Sequence, residues 1–317
     1  MERNLALEVV RATEAAALAA ARFIGKGDER LADRSACEAM RRALNSIGMD
    51  GKLVIGEGEP DETEMLYVGE IVGNGSGPEV DVGLDALEGA HICASGGPNV
   101  LSCIALAERG RILRCPDTYM DKIACGPVGR GLIDIDKSPA ENLKLLADAK
   151  HAYVEDLKVA ILDRPRHEKL ISEVRRTGAG IKLLSAGDLS AAISTTRLES
   201  ETDLLLGVGG AHQGVLAAVA IRTAGGDMQA RFAPRNEEEV EECLRAGILD
   251  VNHRYRLEDL AGDNVMFAAT GVTTGDYLRG VRFLSGGAVT NSVVMRSKTR
   301  TVRFIEAFHH FDFKPEY

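Results

Sequence analysis

Tryptophan is absent and aromatic residues make up only 4% of the 317-residue chain, so the core cannot rest on large rings. It must be filled by Ala, Val, Leu and Ile, and the 34 glycines predict many tight backbone turns. Positive charge is also scarce: Lys plus Arg number 38 against 48 for Asp plus Glu, a net charge of −10. This argues against nucleic acid or a membrane as main partner, since both need a cationic surface. Phosphate can still be bound through a local basic site or a metal. No window approaches the roughly 18 apolar residues of a membrane span. The apolar stretch from Leu5 to Ile24 is interrupted by Glu8, Arg11, Glu14 and Arg22, the pattern of an amphipathic helix and not of a signal peptide. The six cysteines, Cys37, Cys93, Cys103, Cys115, Cys125 and Cys243, form no C-x-x-C pair. That argues against a zinc or dithiol motif, and the thiols are expected as small core residues of a cytoplasmic protein.

What is present is a chain 45% hydrophobic and 27% charged, the balance of an ordinary soluble globule. Apolar runs of strand length alternate with amphipathic runs of helix length, an α/β pattern. The first helix is expected to stop at Gly25-Lys26-Gly27, and a second to start near Ser35, where Ser35-Ala36-Cys37-Glu38 fits a capping box. Strands are expected over 53–55, 80–84, 100–106, 112–113 and 132–135. Ser138-Pro139-Ala140-Glu141 opens a helix to about Ala149 with an N-cap, a first-turn proline and a box-closing glutamate. Past residue 155 the rhythm restarts, with strands over 157–162, 181–184 and 204–208, a helix ending at Thr177 and another running from Gly209-Gly210 to Ala224. The expected organisation is two closely packed domains, 1–155 and 156–317.

Asp33, Glu57, Asp85 and Glu88 each fall at a predicted strand end or helix start near glycine. Convergent carboxylates there suit Mg²⁺ or Mn²⁺. Asp85-Ala86-Leu87-Glu88-Gly89 reads as a compact chelating corner after a buried strand. The competing reading is that Asp33 caps a helix and that Glu57, Glu59, Asp61, Glu62 and Glu64 form a solvated acidic loop. A second cluster is basic and hydroxylic: Tyr119, Lys122, Arg164 and Arg166. The two arginines flank Pro165 directly after a strand, so both guanidiniums can fork onto one phosphate, although an ordinary helix start with surface charge gives the same letters. Gly209-Gly210 between strand and helix is a third place suited to an anion.

Several stretches resemble the class II fructose-1,6-bisphosphatases, in the same order and at similar separations. They are Lys26-Gly27-Asp28 with Ala32-Asp33, Val54-Ile55-Gly56-Glu57-Gly58-Glu59, Asp85-x-x-Glu88-Gly89, Pro116-Asp117-x-Tyr119-Met120-x-Lys122, Arg164-Pro165-Arg166-His167, Gly187-Asp188 and Gly209-Gly210-Ala211. The likeness covers essentially the whole chain, and related cyanobacterial enzymes also cleave sedoheptulose-1,7-bisphosphate. It implies the fold of the lithium-sensitive phosphomonoesterases, a layered α/β/α/β/α sandwich with a divalent-metal site at the domain junction. By that likeness Asp33, Glu57, Asp85 and Glu88 hold Mg²⁺ or Mn²⁺ in the N-terminal domain. Tyr119, Arg164 and Arg166 bind the phosphate that stays on the sugar, Asp188 and the Gly210 amide lie on the sugar side, and Lys122 is expected among the substrate-binding residues.

The departures from that pattern concentrate at the catalytic end. The family's D-P-x-E-G-T reads Asp85-Ala86-Leu87-Glu88-Gly89-Ala90, which removes the threonine that would orient water. Its G-G-A-P-E-G reads Gly209-Gly210-Ala211-His212-Gln213-Gly214, so a metal-binding carboxylate becomes the neutral amide of Gln213, which is still expected to offer the metal a carbonyl oxygen, with less charge. Gly97 replaces a glutamine and Ala186 an aspartate. His91 and His212 appear beside the losses, either as polar neighbours of a relaxed site or as proton-transfer groups. The leading expectation is a metal-dependent phosphatase of a sugar (bis)phosphate, assembled as a dimer or tetramer. The alternatives are an isomerase or epimerase on the same scaffold, or a sugar-phosphate-binding protein.

Overall fold

A computed structural model describes residues 4–197 and 199–313. The chain is an α/β protein of two compact units, one reaching to Ile112 and resuming at Asn264, the other spanning Leu113–Asp263. In chain order the first unit builds α1 (Leu5–Ala20), α2 (Glu29–Leu44), β1 (Asp50–Ile55), β2 (Ile71–Val72), β3 (Glu79–Glu88), α3 (Ala90–Ser95) and β4 (Leu101–Glu108). The second builds β5 (Tyr119–Cys125), α4 (Pro139–Lys150), β6 (Lys158–Leu162), α5 (Glu168–Arg176), β7 (Gly180–Leu184), α6 (Asp188–Ser194), β8 (Leu204–Gly210), α7 (Ala211–Ala224), β9 (Asp227–Phe232), α8 (Glu237–Arg245), β10 (Tyr255–Arg256) and α9 (Leu257–Leu260). The chain then returns to the first unit with β11 (Val265–Gly271), β12 (Arg282–Leu284), β13 (Gly287–Arg296) and β14 (Thr301–His310). No helix of the described residues is long and apolar enough to cross a membrane.

The expected boundary at 155/156 therefore falls inside the second unit, between α4 and β6. Alternating strands and helices do not report which sheet a strand joins. Here β5 opens the second sheet well before residue 155, and four late strands go back to the first. The first sheet is eight-stranded, in the order β12-β13-β11-β4-β3-β1-β2 with β14 also on β13. Its pairs are antiparallel except β1 with β3. Strand β4 is buried from Leu101 to Ala107, as expected of an inner strand covered on both faces. Helix α1 packs on this sheet through small residues such as Ala12, Ala16, Ala17 and Ala20. Its buried Thr13 hydroxyl pairs with Thr270 Oγ1 at 2.8 Å, which pairs in turn with Ser292 Oγ at 2.8 Å, so a polar seam is satisfied inside an otherwise apolar contact.

Helix α2 starts earlier than its sequence suggests. The cap is Asp28, whose Oδ1 accepts from Leu31 N at 2.9 Å, and Ser35 lies inside the helix. A serine followed three residues later by a glutamate recurs by chance on any polar helix face. The true start is fixed by the turn at Gly25–Gly27 and the extended backbone of Asp28. Strand β3 also runs further than expected, through Asp85 to Glu88, because it keeps pairing with β4 across a register shift between those two residues.

The second sheet has six strands in the order β10-β9-β5-β8-β6-β7. Strand β5 lies antiparallel between β8 and β9, and β6 runs parallel to β7 and β8. Ile123, Leu143, Leu146, Val159, Ile161, Val174 and Leu204 share the core on one side, while α7 packs against β5, β8 and β9. The capping box of α4 forms as expected, with Ser138 N donating to Glu141 Oε2 at 2.9 Å. Residues 132–135, expected as a strand, are a loop. Their backbone is used elsewhere: the Asn142 and Gln229 side chains bond the amides of Asp134 and Ile135 at 2.8 and 3.0 Å.

Candidate functional site

In the first unit the carboxylates come from three elements. Asp33 rides on α2, Glu57 follows β1, and Asp85 lies on β3. Glu57 is aimed by a close backbone approach. A Cβ on Gly56 would come within 2.1 Å of Leu66 O, so only glycine lets the strand exit pass beneath that carbonyl. The Glu57 amide donates to the same oxygen at 2.9 Å. The loop carrying Leu66 is tied down by the buried Glu70, whose Oε1 accepts from Arg41 Nε at 2.6 Å and whose Oε2 accepts from the Leu66 amide.

The register shift in β3 has a direct role here. Two residues, Ala86 and Leu87, separate the paired positions Asp85 and Glu88, and the Ala86 N–H donates to Glu57 Oε1 at 2.7 Å. A bulge thus turns a ladder donor toward a carboxylate. One donor atom each from Asp33, Glu57 and Cys37 lie within 4.8 Å of one another. Burial, then Asp85 and Asp33, push the Glu57 carboxyl well above the ordinary carboxylate range, with the Ala86 amide pulling the other way. Burial and Glu29 likewise raise Asp33.

Such a group fits a divalent cation on its donor chemistry. Bonds of about 2.0–2.3 Å require oxygen or sulfur atoms gathered within roughly this span, and carboxylates forced together carry charge that a cation relieves. Glu88, at 5% exposure, sits on the same strand, and burial, then Asp85 and Glu88, push the Cys103 thiol up. The remainder of the acidic loop, Glu59, Asp61, Glu62 and Glu64, is exposed, in line with the solvated reading of those residues. Ala90 and His91 open α3, and the His91 residue is exposed.

In the second unit the strand–turn–helix of Arg164-Pro165-Arg166-His167 is braced by the histidine. Its Nδ1 lies 2.7 Å from Leu162 O, and its Nε2 accepts from Val208 N at 2.8 Å. The ring is therefore the Nδ1–H tautomer, and burial depresses its proton affinity. Arg166 donates from Nε and Nη2 to Val208 O at 3.2 and 2.8 Å. Arg164 donates to the carbonyls of Asp163 and Ser185 at 2.8 and 2.6 Å. These tethers use part of each guanidinium's donor set and fix the direction of the fork.

Tyr119 receives the Arg166 guanidinium 4.7 Å from its ring centre, and a second guanidinium, Arg235, at 4.6 Å. Arg235 is absent from the sequence-derived candidates. It follows Pro234 after a strand, just as Arg166 follows Pro165, and that repeated punctuation was the available signal. Glu239 holds it by an ion pair to Nε and a bond from its amide at 2.8 Å. Two cations on one ring are attracted by its face but repel each other, and an anion beside them relieves that repulsion.

Lys122, expected among the substrate-binding residues, is only 2% exposed. Its Nζ pairs with Asp188 and donates to Gly210 O at 2.9 Å. Gly209 is required beside this pair, because a Cβ there would lie 2.2 Å from Asp188 Oδ2 and 3.0 Å from Lys122 Nζ. Gly210 caps α7, and a Cβ on it would meet Gln213 Oε1 at 2.0 Å, so the Gln213 amide folds back over the helix start. His212, expected as a proton-transfer group, has its Nε2 committed to Cys115 O at 3.0 Å.

The structure thus brings Asp33 and Glu57 together with the field of Asp85 in one unit. In the other it brings Tyr119 together with Arg166, and Lys122 with Asp188 and Gly210. Residues 3–309 match the family described as bacterial fructose-1,6-bisphosphatase, glpX-encoded. The chain is 41% identical to the D-fructose 1,6-bisphosphatase class 2/sedoheptulose 1,7-bisphosphatase of Synechococcus elongatus, over 98% of each chain. It is 40% identical to the protein of that name from Thermosynechococcus vestitus, over 98% of this chain and 97% of the relative. With near-complete coverage by both measures, the chain belongs to the bacterial class II fructose-1,6-bisphosphatase family.

Proposed function

We propose that this protein is a divalent-metal-dependent phosphatase that releases phosphate from fructose 1,6-bisphosphate or sedoheptulose 1,7-bisphosphate. The observation that carries the reading is the gathering of Asp33 and Glu57 donor atoms within 4.8 Å, in a family whose named relatives are such bisphosphatases. Asp33, Glu57, Asp85 and Glu88 would hold the ion, with Mg²⁺ or Mn²⁺ the expected occupant. Bound there, it would supply Lewis-acid polarisation of a phosphoryl oxygen and a more acidic water.

The chain's own residues do the rest. The Ala86 amide holds Glu57 in place through the bulge, so the carboxylate needs no reorganisation when an ion or substrate arrives. Arg164 and Arg166, tethered to backbone carbonyls, and Arg235, tethered to Glu239, bind the phosphate that remains on the sugar, with Tyr119 as the surface on which two of them lie. Asp188 keeps one oxygen on Lys122 and presents its carboxylate to a sugar hydroxyl. The Ala90 methyl and the Gln213 amide remove a hydroxyl and a negative charge from this machinery, so turnover is expected to be slow for the family. The proton-transfer alternative loses support at His212, whose Nε2 is already bound.

The test is release of inorganic phosphate from each bisphosphate in the presence of Mn²⁺, with Glu57→Gln as control. Release that is metal-dependent and lost in Glu57→Gln supports the reading. Failure of both the wild type and the Ala90→Thr/Gln213→Glu double variant to release phosphate would overturn it.

A further inference from the structure

Four residues after Asp33, helix α2 carries Cys37. Residues four apart stand on one helix face, so the thiol and the Asp33 carboxylate project the same way, and the Sγ joins the Asp33 and Glu57 donor atoms within 4.8 Å. The residue is 5% exposed. Among the described residues no other side chain hydrogen-bonds its sulfur. A buried sulfur thus lies beside a carboxylate cluster. Burial, then the neighbouring carboxylates of Glu57, Asp33 and Asp85, push the thiol up, so it keeps its proton until a cation offsets those charges.

We propose that Cys37 Sγ is a ligand of the metal site, making it a mixed sulfur–oxygen site that selects a thiophilic ion such as Zn²⁺, Co²⁺ or Fe²⁺ over Mg²⁺. This rests on the metal-site reading above and revises its occupant, replacing the Mg²⁺ or Mn²⁺ expected there with a softer class of ion. As the metal–sulfur bond forms, the S–H bond gives its proton to solvent. Mg²⁺ demands oxygen donors in near-octahedral geometry and gains little from sulfur, whereas a thiolate favours the later and softer divalent ions. Cys103 is the nearest competitor, since Asp85 and Glu88 also act on it, but its sulfur does not join the group of donors within 4.8 Å.

The experiment uses the full chain, stripped of metal and titrated anaerobically with Co²⁺. Bound cobalt is counted by equilibrium dialysis, and the near-ultraviolet thiolate-to-cobalt charge-transfer band reports sulfur ligation. Cys37→Val and Cys37→Ser, checked for folding by circular dichroism, are the sulfur-free variants, and Glu57→Gln identifies the site. The expected result is the band in the wild type and its absence in both cysteine variants while cobalt still binds. Their Co²⁺ and Zn²⁺ affinity should fall at least the roughly 10–100-fold typical of losing even an outer partner of a ligand, with Mg²⁺ affinity nearly unchanged. Cobalt bound to the wild type without the band overturns the thiolate ligand and leaves the carboxylate site standing. A band that survives both cysteine variants overturns it too, placing the sulfur elsewhere. Failure of any divalent ion to bind overturns both this inference and the reading beneath it.

Discussion

The first unit holds Glu57 among Asp33 and Asp85, with one backbone amide at 2.7 Å as its hydrogen-bond donor. The second buries a charge of opposite sign, Lys122, and gives it both a carboxylate partner and the carbonyl of Gly210 at 2.9 Å. Its exposed guanidiniums are likewise tethered, to Val208 O, to Ser185 O and to Glu239. One cluster is thus raised in energy by like charges, and the other is largely satisfied before any ligand arrives. A site that waits for a cation must keep its anions crowded, at some cost in stability. A site that waits for a phosphate needs only fixed forks, and backbone carbonyls fix them cheaply.

The sharpest way to break this comparison is to neutralise its centre. Glu57→Gln keeps an acceptor for the Ala86 amide but removes the charge, and phosphate release with Mn²⁺ should fall by about 10³-fold or more. In the metal-free protein the same change should raise stability by about 1 kcal/mol, the scale of relief usual at functional sites, read by urea denaturation. The pH dependence carries the sign. Folding raises the proton affinity of Glu57 and Asp33, so the native state binds more protons than the unfolded chain. Metal-free stability therefore declines as pH rises from the ordinary carboxylate range through the raised native values, and Glu57→Gln should flatten that slope. A variant no more stable than the wild type, with an unchanged slope, would remove the contrast between the two units.

On the second unit the expected effects are smaller. Arg166→Ala should raise KM by about 10–100-fold, the value of one to three kcal/mol of charged hydrogen bonding. Arg166→Lys should recover little, because an ammonium cannot both fork and lie on Tyr119. Full recovery by lysine would mean that the stacking is incidental. His167 titrates oppositely to Glu57. Native His167 holds its proton less firmly than an unfolded histidine, so its contribution is present above pH about 6.5 and is lost as pH falls below it. His167→Gln should remove that acid-side loss from the thermal unfolding profile. The smallest effect belongs to the helix cap: Asp28→Ala should cost about 1 kcal/mol, a Tm decrease of a few degrees with kinetics nearly intact.

How much of this was legible beforehand depended on whether a feature is local. The capping box at Ser138, the Gly209-Gly210 entry to α7 and the turn after β6 are set by neighbours in the chain, and they appear where the letters put them. The letters point to too late a start for α2, because Ser35 and Glu38 imitate a cap that Asp28 provides. Strand β5 and the return of β11–β14 to the first sheet were missed, since strand patterning does not encode the partner strand. The burial of Lys122 against Asp188 is not legible locally, because it depends on the space left by Gly209, far along the chain. Cys37 is buried, as expected of a core thiol; its spacing from Asp33 is visible in the sequence, but only the fold brings Glu57 beside it.

Residue types and their short-range order determined the α/β class, the helix cap at Ser138, and which side chains were available for chemistry. Which donors meet, which cations are already spent on internal partners, and which amide the β3 bulge turns toward Glu57 were decided by tertiary structure. Hydrogen bonds, burial and charge act through space over a few ångströms, and only the folded chain sets those separations.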